Sequence, residues 1–506
     1  MQENSYQNRP LNLQTNRFRM KLIHLKAYLL GLCLCTLSMA TAQQAPDKNQ
    51  WSLKECIDYG IENNLTIKQS QLQVQSSQST FQQSREGRLP TVTGSATQSI
   101  ASGRSIDPFT NEPLTETINS TRLGLNANWV LFNGFNQTNT IRQNETNFQA
   151  DQLDVEQSKR DISLNIATAY LQVLLNQELL NASQNQVLAT KGQLERTQKL
   201  FEAGSIAENE VIDLKAQLAN DEISVTTARN QLSIAKVNLM QLMNLPVQQD
   251  FEVIQVDVAQ IDNPYASESP QAIYREAVGE QYNVQSADLR IKSSEYAVNS
   301  ANGNRIPSLS LNASVSTLYS SAAPTQILDP DGTFSTVITP IGFLGSNPSD
   351  TVFTSQQIPN GENVDNGFFN QLDFNLQSSV GLTLTVPIYN AGQIRNNVTQ
   401  AKINKKIAEY QSENVRIQLR QDIEQAYNDM RVAATTYDAR ERQVESLQLA
   451  YETTETRFNV GAANSVDFNL AKINLDRARA DLIRAKYDYA FRIKVLDFYV
   501  NKPLDF

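Results

Sequence analysis

The chain has 506 residues, with 43 Lys or Arg against 53 Asp or Glu, one histidine and three cysteines. The acidic balance argues against a nucleic-acid partner. His24 lies in the first 42 residues, as do Cys33 and Cys35, which leaves only Cys56 beyond them. Zinc sites and histidine-dependent acid–base chemistry are thereby excluded for the rest of the chain.

Those first 42 residues are expected to be a secretory signal peptide. Lys21 and Lys26 precede the apolar run 27–35, and Ala40-Thr41-Ala42 provides a small-x-small cleavage pattern. The run is too short to span a bilayer comfortably. Neither Cys33 nor Cys35 follows the small residue that a lipoprotein signal needs. Cleavage leaves 38 basic and 52 acidic residues, a net charge of −14, and no second cysteine for a disulfide. No later stretch holds about 18 consecutive apolar residues, so no transmembrane helix is expected.

Next come segments with period two. Residues 91–100 alternate loosely, and Leu123, Leu125, Ala127, Trp129 and Leu131 alternate with Gly124, Asn126, Asn128 and Val130. Leu309, Leu311, Ala313 and Val315 alternate with serines and Asn312. Val380, Leu382, Leu384, Val386 and Ile388 do the same with Gly381, Thr383, Thr385 and Pro387. One apolar face and one face of Ser, Thr, Asn and Gly, at about ten residues per strand, is the pattern of a transmembrane barrel. Two loops, 102–119 and 320–366, are expected to join these strands in pairs.

Long helices follow each strand pair. No proline interrupts 136–201 or 208–245. Apolar residues recur every seven positions: Ile166, Val173, Leu180, Val187, Leu194 and Phe201, and again Ile423, Met430, Tyr437, Val444, Tyr451 and Phe458. That spacing keeps one seam facing a partner helix. Three residues further on the positions are small or polar, among them Ala169, Asn176, Thr190, Ala228, Ala426 and Ala478, which suits close approach by a second neighbour. Gly204 and Gly461 end the ascending helices, so each pair is expected to form an antiparallel hairpin with a tight tip.

The chain repeats itself. Shifted by 257 residues, Gly124 falls on Gly381, Tyr170 on Tyr427, Phe201 on Phe458 and Gly204 on Gly461. Upstream, Arg88-Leu89-Pro90 falls on Arg305-Ile306-Pro307 at a shift of 217, so the second copy carries a 40-residue insertion. The expected organisation is a first repeat over 43–246, a linker over 247–269, and a second repeat over 270–506 with an enlarged loop at about 320–366. The fold class is mostly α with a small β part. Four strands cannot close a barrel, and an open sheet edge has no hydrogen-bond partners in lipid, so several chains must share one barrel.

These residues resemble the TolC-like outer-membrane efflux proteins. The similarity rests on Trp51 to Asn64, the Arg/Pro turns at 88–90 and 305–307, and the tip Phe458-Asn-Val-Gly461 followed by Ser465-Val-Asp467. It implies a homotrimer with a twelve-stranded barrel in outer-membrane lipid and a tunnel of twelve long helices in the periplasm. It also implies docking of the hairpin tips, at Phe201, Gly204, Phe458 and Gly461, on a periplasmic adaptor (membrane fusion) protein. That adaptor would join an RND or ABC transporter of the inner membrane, making the duct part of an efflux or type I secretion system. Asp467 matches the family's acidic ring at the periplasmic mouth, and Glu210 an acid on the neighbouring helix. A tyrosine, an arginine and a second acid typical of this mouth are replaced by Phe458, Ala463 and Leu470.

No Ser/His/Asp set, phosphate-binding glycine loop or metal cluster is present, so neither catalytic residues nor cofactors are expected. The competing reading is a coiled-coil envelope protein without a transport role, which leaves the four alternating segments unexplained.

Overall fold

Two helices of 67 residues each, α3 (Asn136–Glu202) and α8 (Gln393–Asn459), dominate the computed structural model. Each is about 100 Å long at 1.5 Å per residue. The structure describes residues 50–106, 113–248, 250–256, 263–323, 326–343 and 351–504. The signal-peptide reading of 1–42 lies outside the described residues.

In chain order, β1 (Gln50–Trp51) leads to α1 (Leu53–Asn63) and α2 (Leu65–Glu86). Strands β2 (Thr91–Ile106) and β3 (Pro113–Asn133) precede α3, which turns back into α4 (Glu208–Met243). After β4 (Glu252–Val253), which pairs in parallel with β1, the pattern restarts with α5 (Pro270–Glu280), α6 (Tyr282–Gly303) and β5 (Ser308–Ser320). Strands β6 (Gln326–Phe343) and β7 (Thr351–Asp365), helix α7 (Phe368–Phe374) and strand β8 (Gln377–Thr385) precede α8 and α9 (Ser465–Tyr499).

Local chemistry sets these boundaries. Ser52 and Glu55 form a reciprocal capping box at the start of α1, with Ser52 N donating to Glu55 Oε2 at 2.9 Å and Glu55 N to Ser52 Oγ at 3.3 Å. Ser269 caps α5 with a single bond, its Oγ accepting from Ala272 N at 3.3 Å. The left-handed residues of the helical part come in matched pairs 257 apart: Gly134 with Ala391, Phe135 with Gly392, Gly204 with Gly461, and Asn244 with Asn501.

The heptad seam is buried deepest near the middle of the long helices. Ile166, Val173 and Leu180 are buried, as are Ile423 and Met430, whereas Val187 and Leu194 are half-covered and Phe201 is exposed. Two cores sit at that level. One gathers Trp51, Cys56, Tyr170, Leu239 and Phe251, and the other Tyr265, Ile273, Ile423, Met430 and Leu496. Tyr170 ties its core to the chain by donating to the carbonyls of Trp51 and Ile254, at 3.2 and 2.6 Å. On the strand side of these cores the helices pack in the order α2-α3-α6-α8, and on the tip side in the order α4-α3-α9-α8. Four helices therefore lie side by side at either level.

Three sequence expectations need correction. The enlarged loop is largely a β-hairpin, β6 with β7, in register from Gln326↔Asp365 to Phe343↔Thr351. Its β-branched and aromatic runs, Phe334 to Thr339 and Thr351 to Thr354, favour strand despite the surrounding Gly, Pro and Asp. Likewise β2 and β3 continue through most of the expected loop at 102–119, of which 107–112 lies outside the described residues. Finally, β8 ends at Thr385, so Val386 and Ile388 are not in it. Pro387 has no N–H for a ladder.

Candidate functional site

One sheet has four antiparallel strands in the order β2-β3-β5-β8. Its register aligns the alternating residues of β3, β5 and β8. Trp129, Leu311 and Leu382 form one row, Ala127, Ala313 and Val380 the next, and Leu125 lies opposite Val315. Side chains alternate across a strand, so these rows share one face. The opposite face holds Asn126, Asn128, Asn312, Ser314, Ser379 and Thr383, and is cross-linked by Asn312 Nδ2 donating to Thr383 Oγ1 at 3.1 Å and by Ser314 and Ser379 hydroxyls 2.8 Å apart. Val380, Leu382 and Leu384 are more than 60 % exposed within the chain. The outer edges of β2 and β8 have no strand partner within the sheet.

The other end of the molecule is the pair of hairpin tips. At each, the chain reverses through a glycine in the left-handed region, Gly204 at φ 74° and Gly461 at φ 75°. Gly204 N donates to Phe201 O at 2.8 Å and Ser205 N to Leu200 O at 2.9 Å. Gly461 N to Phe458 O and Ala462 N to Arg457 O repeat the pattern at 3.0 and 2.7 Å. These are Schellman closures, which satisfy the last carbonyls of each helix. No atom lies within 4 Å of a Cβ placed on either glycine, so backbone conformation rather than space demands glycine there.

The tips differ beyond the turn. Asn464 caps α9 by accepting from Asp467 N at 2.8 Å, whereas its counterpart Ala207 offers α4 no side-chain cap. Phe458 stacks on buried Phe468, ring centroids 4.9 Å apart, while Phe201 is exposed. Tyr451 packs on the same Phe468, and burial followed by the nearby Glu455 carboxylate pushes its phenol well above the usual range. Glu210 and Asp467 both sit in the first turn of their helices, Glu210 half-buried and Asp467 exposed. Their carboxylates have no hydrogen-bond or ion-pair partner among the described residues, so one chain alone does not bring them together. Of the positions that depart from the family pattern, Ala463 is half-buried and Leu470 exposed.

One polar cluster went unread in the sequence. Asp221 on α4 accepts from Thr190 Oγ1 at 2.5 Å, Gln186 Nε2 at 2.7 Å and Gln217 Nε2 at 2.8 Å. Lys472 on α9 lies 3.4 Å from Asp221 and 2.9 Å from Asp476. The signal was available: Asp221 occupies the second seam, seven residues before Ala228, where a charge needs partners.

A family profile described as outer membrane efflux protein matches residues 57–245 and 353–499. The outer membrane protein TolC of Escherichia coli is 25 % identical over 393 residues, covering 73 % of this chain and 72 % of that protein. The outer membrane efflux protein BepC of Brucella suis is 20 % identical over 427 residues, covering 84 % and 80 %. Among solved structures, CusC superposes with a TM-score of 0.71 at 15 % identity, over 89 % of this chain and 92 % of that one. The Campylobacter jejuni CmeC outer membrane channel gives 0.66 at 19 %, over 88 % and 85 %. The structures speak for the fold, and the profile, spanning both repeats, for descent. The chain belongs to the outer membrane efflux protein family and is an outer-membrane exit duct of an efflux or secretion system.

Proposed function

We propose that three copies of this chain close one barrel of twelve strands and one tunnel of twelve helices, through which cargo leaves the cell without chemistry on the way. The observation that carries this reading is the sheet with two unpartnered edges and an apolar face. In lipid an unpaired backbone edge is costly, so β8 of one copy pairs with β2 of the next until the ring closes. The same rotation sets α8 of one copy against α2 and α4 of its neighbour. A barrel of twelve strands is wide enough to hold water.

The two repeats, 43–246 and 270–506 with the linker 247–269, supply alternating hairpins around the ring. Their tips, with Phe201, Gly204, Phe458 and Gly461, dock on a periplasmic adaptor, which joins an RND or ABC pump of the inner membrane. Glu210 and Asp467, repeated threefold, line the periplasmic aperture and favour cations there.

Heat-modifiable migration on gels tests the assembly. A membrane-fraction species of three times the chain mass that falls to one chain on boiling is expected. A species of single-chain mass before boiling, or release of the protein without detergent, contradicts it.

A further inference from the structure

We propose that α7, the short helix Phe368–Phe374 in the inserted segment, is an interfacial anchor that seats the barrel in the outer leaflet of the membrane. This rests on reading the apolar sheet face as the barrel wall.

The helix lies on that face, at its end away from the long helices. Thr317 belongs to the apolar row set of β5, and its Oγ1 donates to Leu372 O at 2.6 Å. Tyr319, two residues on and on the same side, packs its ring on Phe368 with centroids 4.8 Å apart. Leu376, just past the helix, borders a hollow with Gly94, Leu125 and Val315.

The height fits a membrane boundary. From Leu311, level with Trp129, to Tyr319 is eight residues of strand. That is about 26 Å along the strand, or about 20 Å along the normal of a barrel tilted by about 40°. Trp129 marks one border of the band, its Nε1 donating to Arg88 O at 2.7 Å, and Tyr319 with Phe368 marks the other. Aromatic rings gather at these two levels because one side of each meets hydrocarbon and the other meets water.

The helix is held, not loose. Ser320 N donates to Gln371 Oε1 at 2.9 Å, Gln371 Nε2 to Asn366 O at 2.9 Å, and Asn375 Nδ2 to Leu318 O at 2.8 Å. Yet this pinned helix turns Phe369 outward at 81 % exposure, with Phe374 at 51 %. A rigid mount that presents two phenylalanines at the edge of an apolar wall suits a lipid surface, which continues that wall. The β6–β7 hairpin beyond it is the water-side control, since Phe353 there is exposed but far along its own sheet.

The test uses full-length protein reconstituted in lipid vesicles, with Cys56→Ala as background. Nitroxide labels at Phe369→Cys and Phe374→Cys are compared with Val380→Cys in the wall and Phe353→Cys on the hairpin. Collision with dissolved oxygen reports lipid, and collision with an aqueous nickel chelate reports water. Labels at 369 and 374 are expected to meet oxygen several-fold more than nickel, at a shallower depth than label 380, while label 353 meets nickel. Nickel-dominated labels at 369 and 374 with an oxygen-dominated label at 380 overturn the anchor and leave the barrel standing. A nickel-dominated label at 380 overturns the barrel reading itself. Labels at 369 and 374 shielded from both probes place the helix under a neighbouring subunit, which also overturns the anchor.

Discussion

Lys472 of α9 lies 3.4 Å from Asp221 of α4, across the junction between the two hairpins of one chain, and the side chains are only 7 % and 2 % exposed. The 257-residue shift carries Asp221 onto Ala478 and Lys472 onto Lys215, which is exposed. The interface within a chain therefore has a buried ion pair whose counterpart is absent at the junction that the proposed trimer would form between chains. Removing one partner of such a pair leaves a charge without compensation, typically at several kcal/mol.

Asp221→Ala should accordingly destabilise the folded chain by about 3 kcal/mol, somewhat softened because Asp476 still reaches Lys472. The double variant Asp221→Ala with Lys472→Met should recover at least half of that loss. Denaturant unfolding in detergent micelles measures both, and equal losses in the single and double variants would show that the pair is not the cause.

Gly134→Ala should be far more harmful than its backbone angle suggests. Gly134 has φ 64°, but its counterpart Ala391 adopts φ 51° with a Cβ already present. What differs is space: a Cβ on Gly134 would lie 2.2 Å from Gly303 O and 2.8 Å from Ile306 Cβ. A backbone carbonyl at the barrel-to-helix junction cannot rotate away, so a loss of about 3 kcal/mol or more is expected. A melting curve indistinguishable from the parent would reject the clash.

In the proposed trimer three copies of Asp467 line the aperture, so Asp467→Lys, which replaces three carboxylates with three ammonium groups there, should weaken block of the channel by multivalent cations roughly tenfold. Single-channel recordings with a trivalent cation added to the periplasmic side supply the measurement. Unchanged block would remove Asp467 from the aperture.

Alkaline stability should depend on Tyr499. Burial first, then the carboxylates of Asp422 and Asp161, push its phenol from 10.0 up to about 12. The folded state thus holds this proton more tightly than the unfolded chain. The associated stability is present below pH 10.0 and is lost as the pH rises towards about 12. At 1.36 kcal/mol per unit the upper limit is about 2.7 kcal/mol, and water at this partly exposed ring reduces it to ~1 kcal/mol. Tyr499→Phe should lose that much less stability than the parent over this range. Parallel pH profiles for the two proteins would count against the assignment.

Much of the fold was legible because it follows from period. Seven-residue recurrence from Ile166 to Phe201 needs only a helix with one seam, and both 67-residue helices end two residues before the expected glycines, Gly204 and Gly461. Period-two runs marked the apolar face of the sheet equally well from Leu123 to Trp129, but a bulge between Val130 and Phe132 sets Phe132 rather than the expected Leu131 opposite Leu309. The insertion was harder. Its Gly, Pro and Asp read as loop, but Phe334 to Thr339 pairs with residues 354–359 across a connection whose composition says nothing about register.

By itself the sequence determined the duplication, the helix lengths and the alternating sheet faces, since these depend on neighbours along the chain. Only the tertiary structure decided that Asp221 would meet Lys472 and that Phe369 would stand out above the apolar wall. Both are contacts between segments far apart in the chain, and which side chains meet there depends on how helices and strands settle against one another in three dimensions.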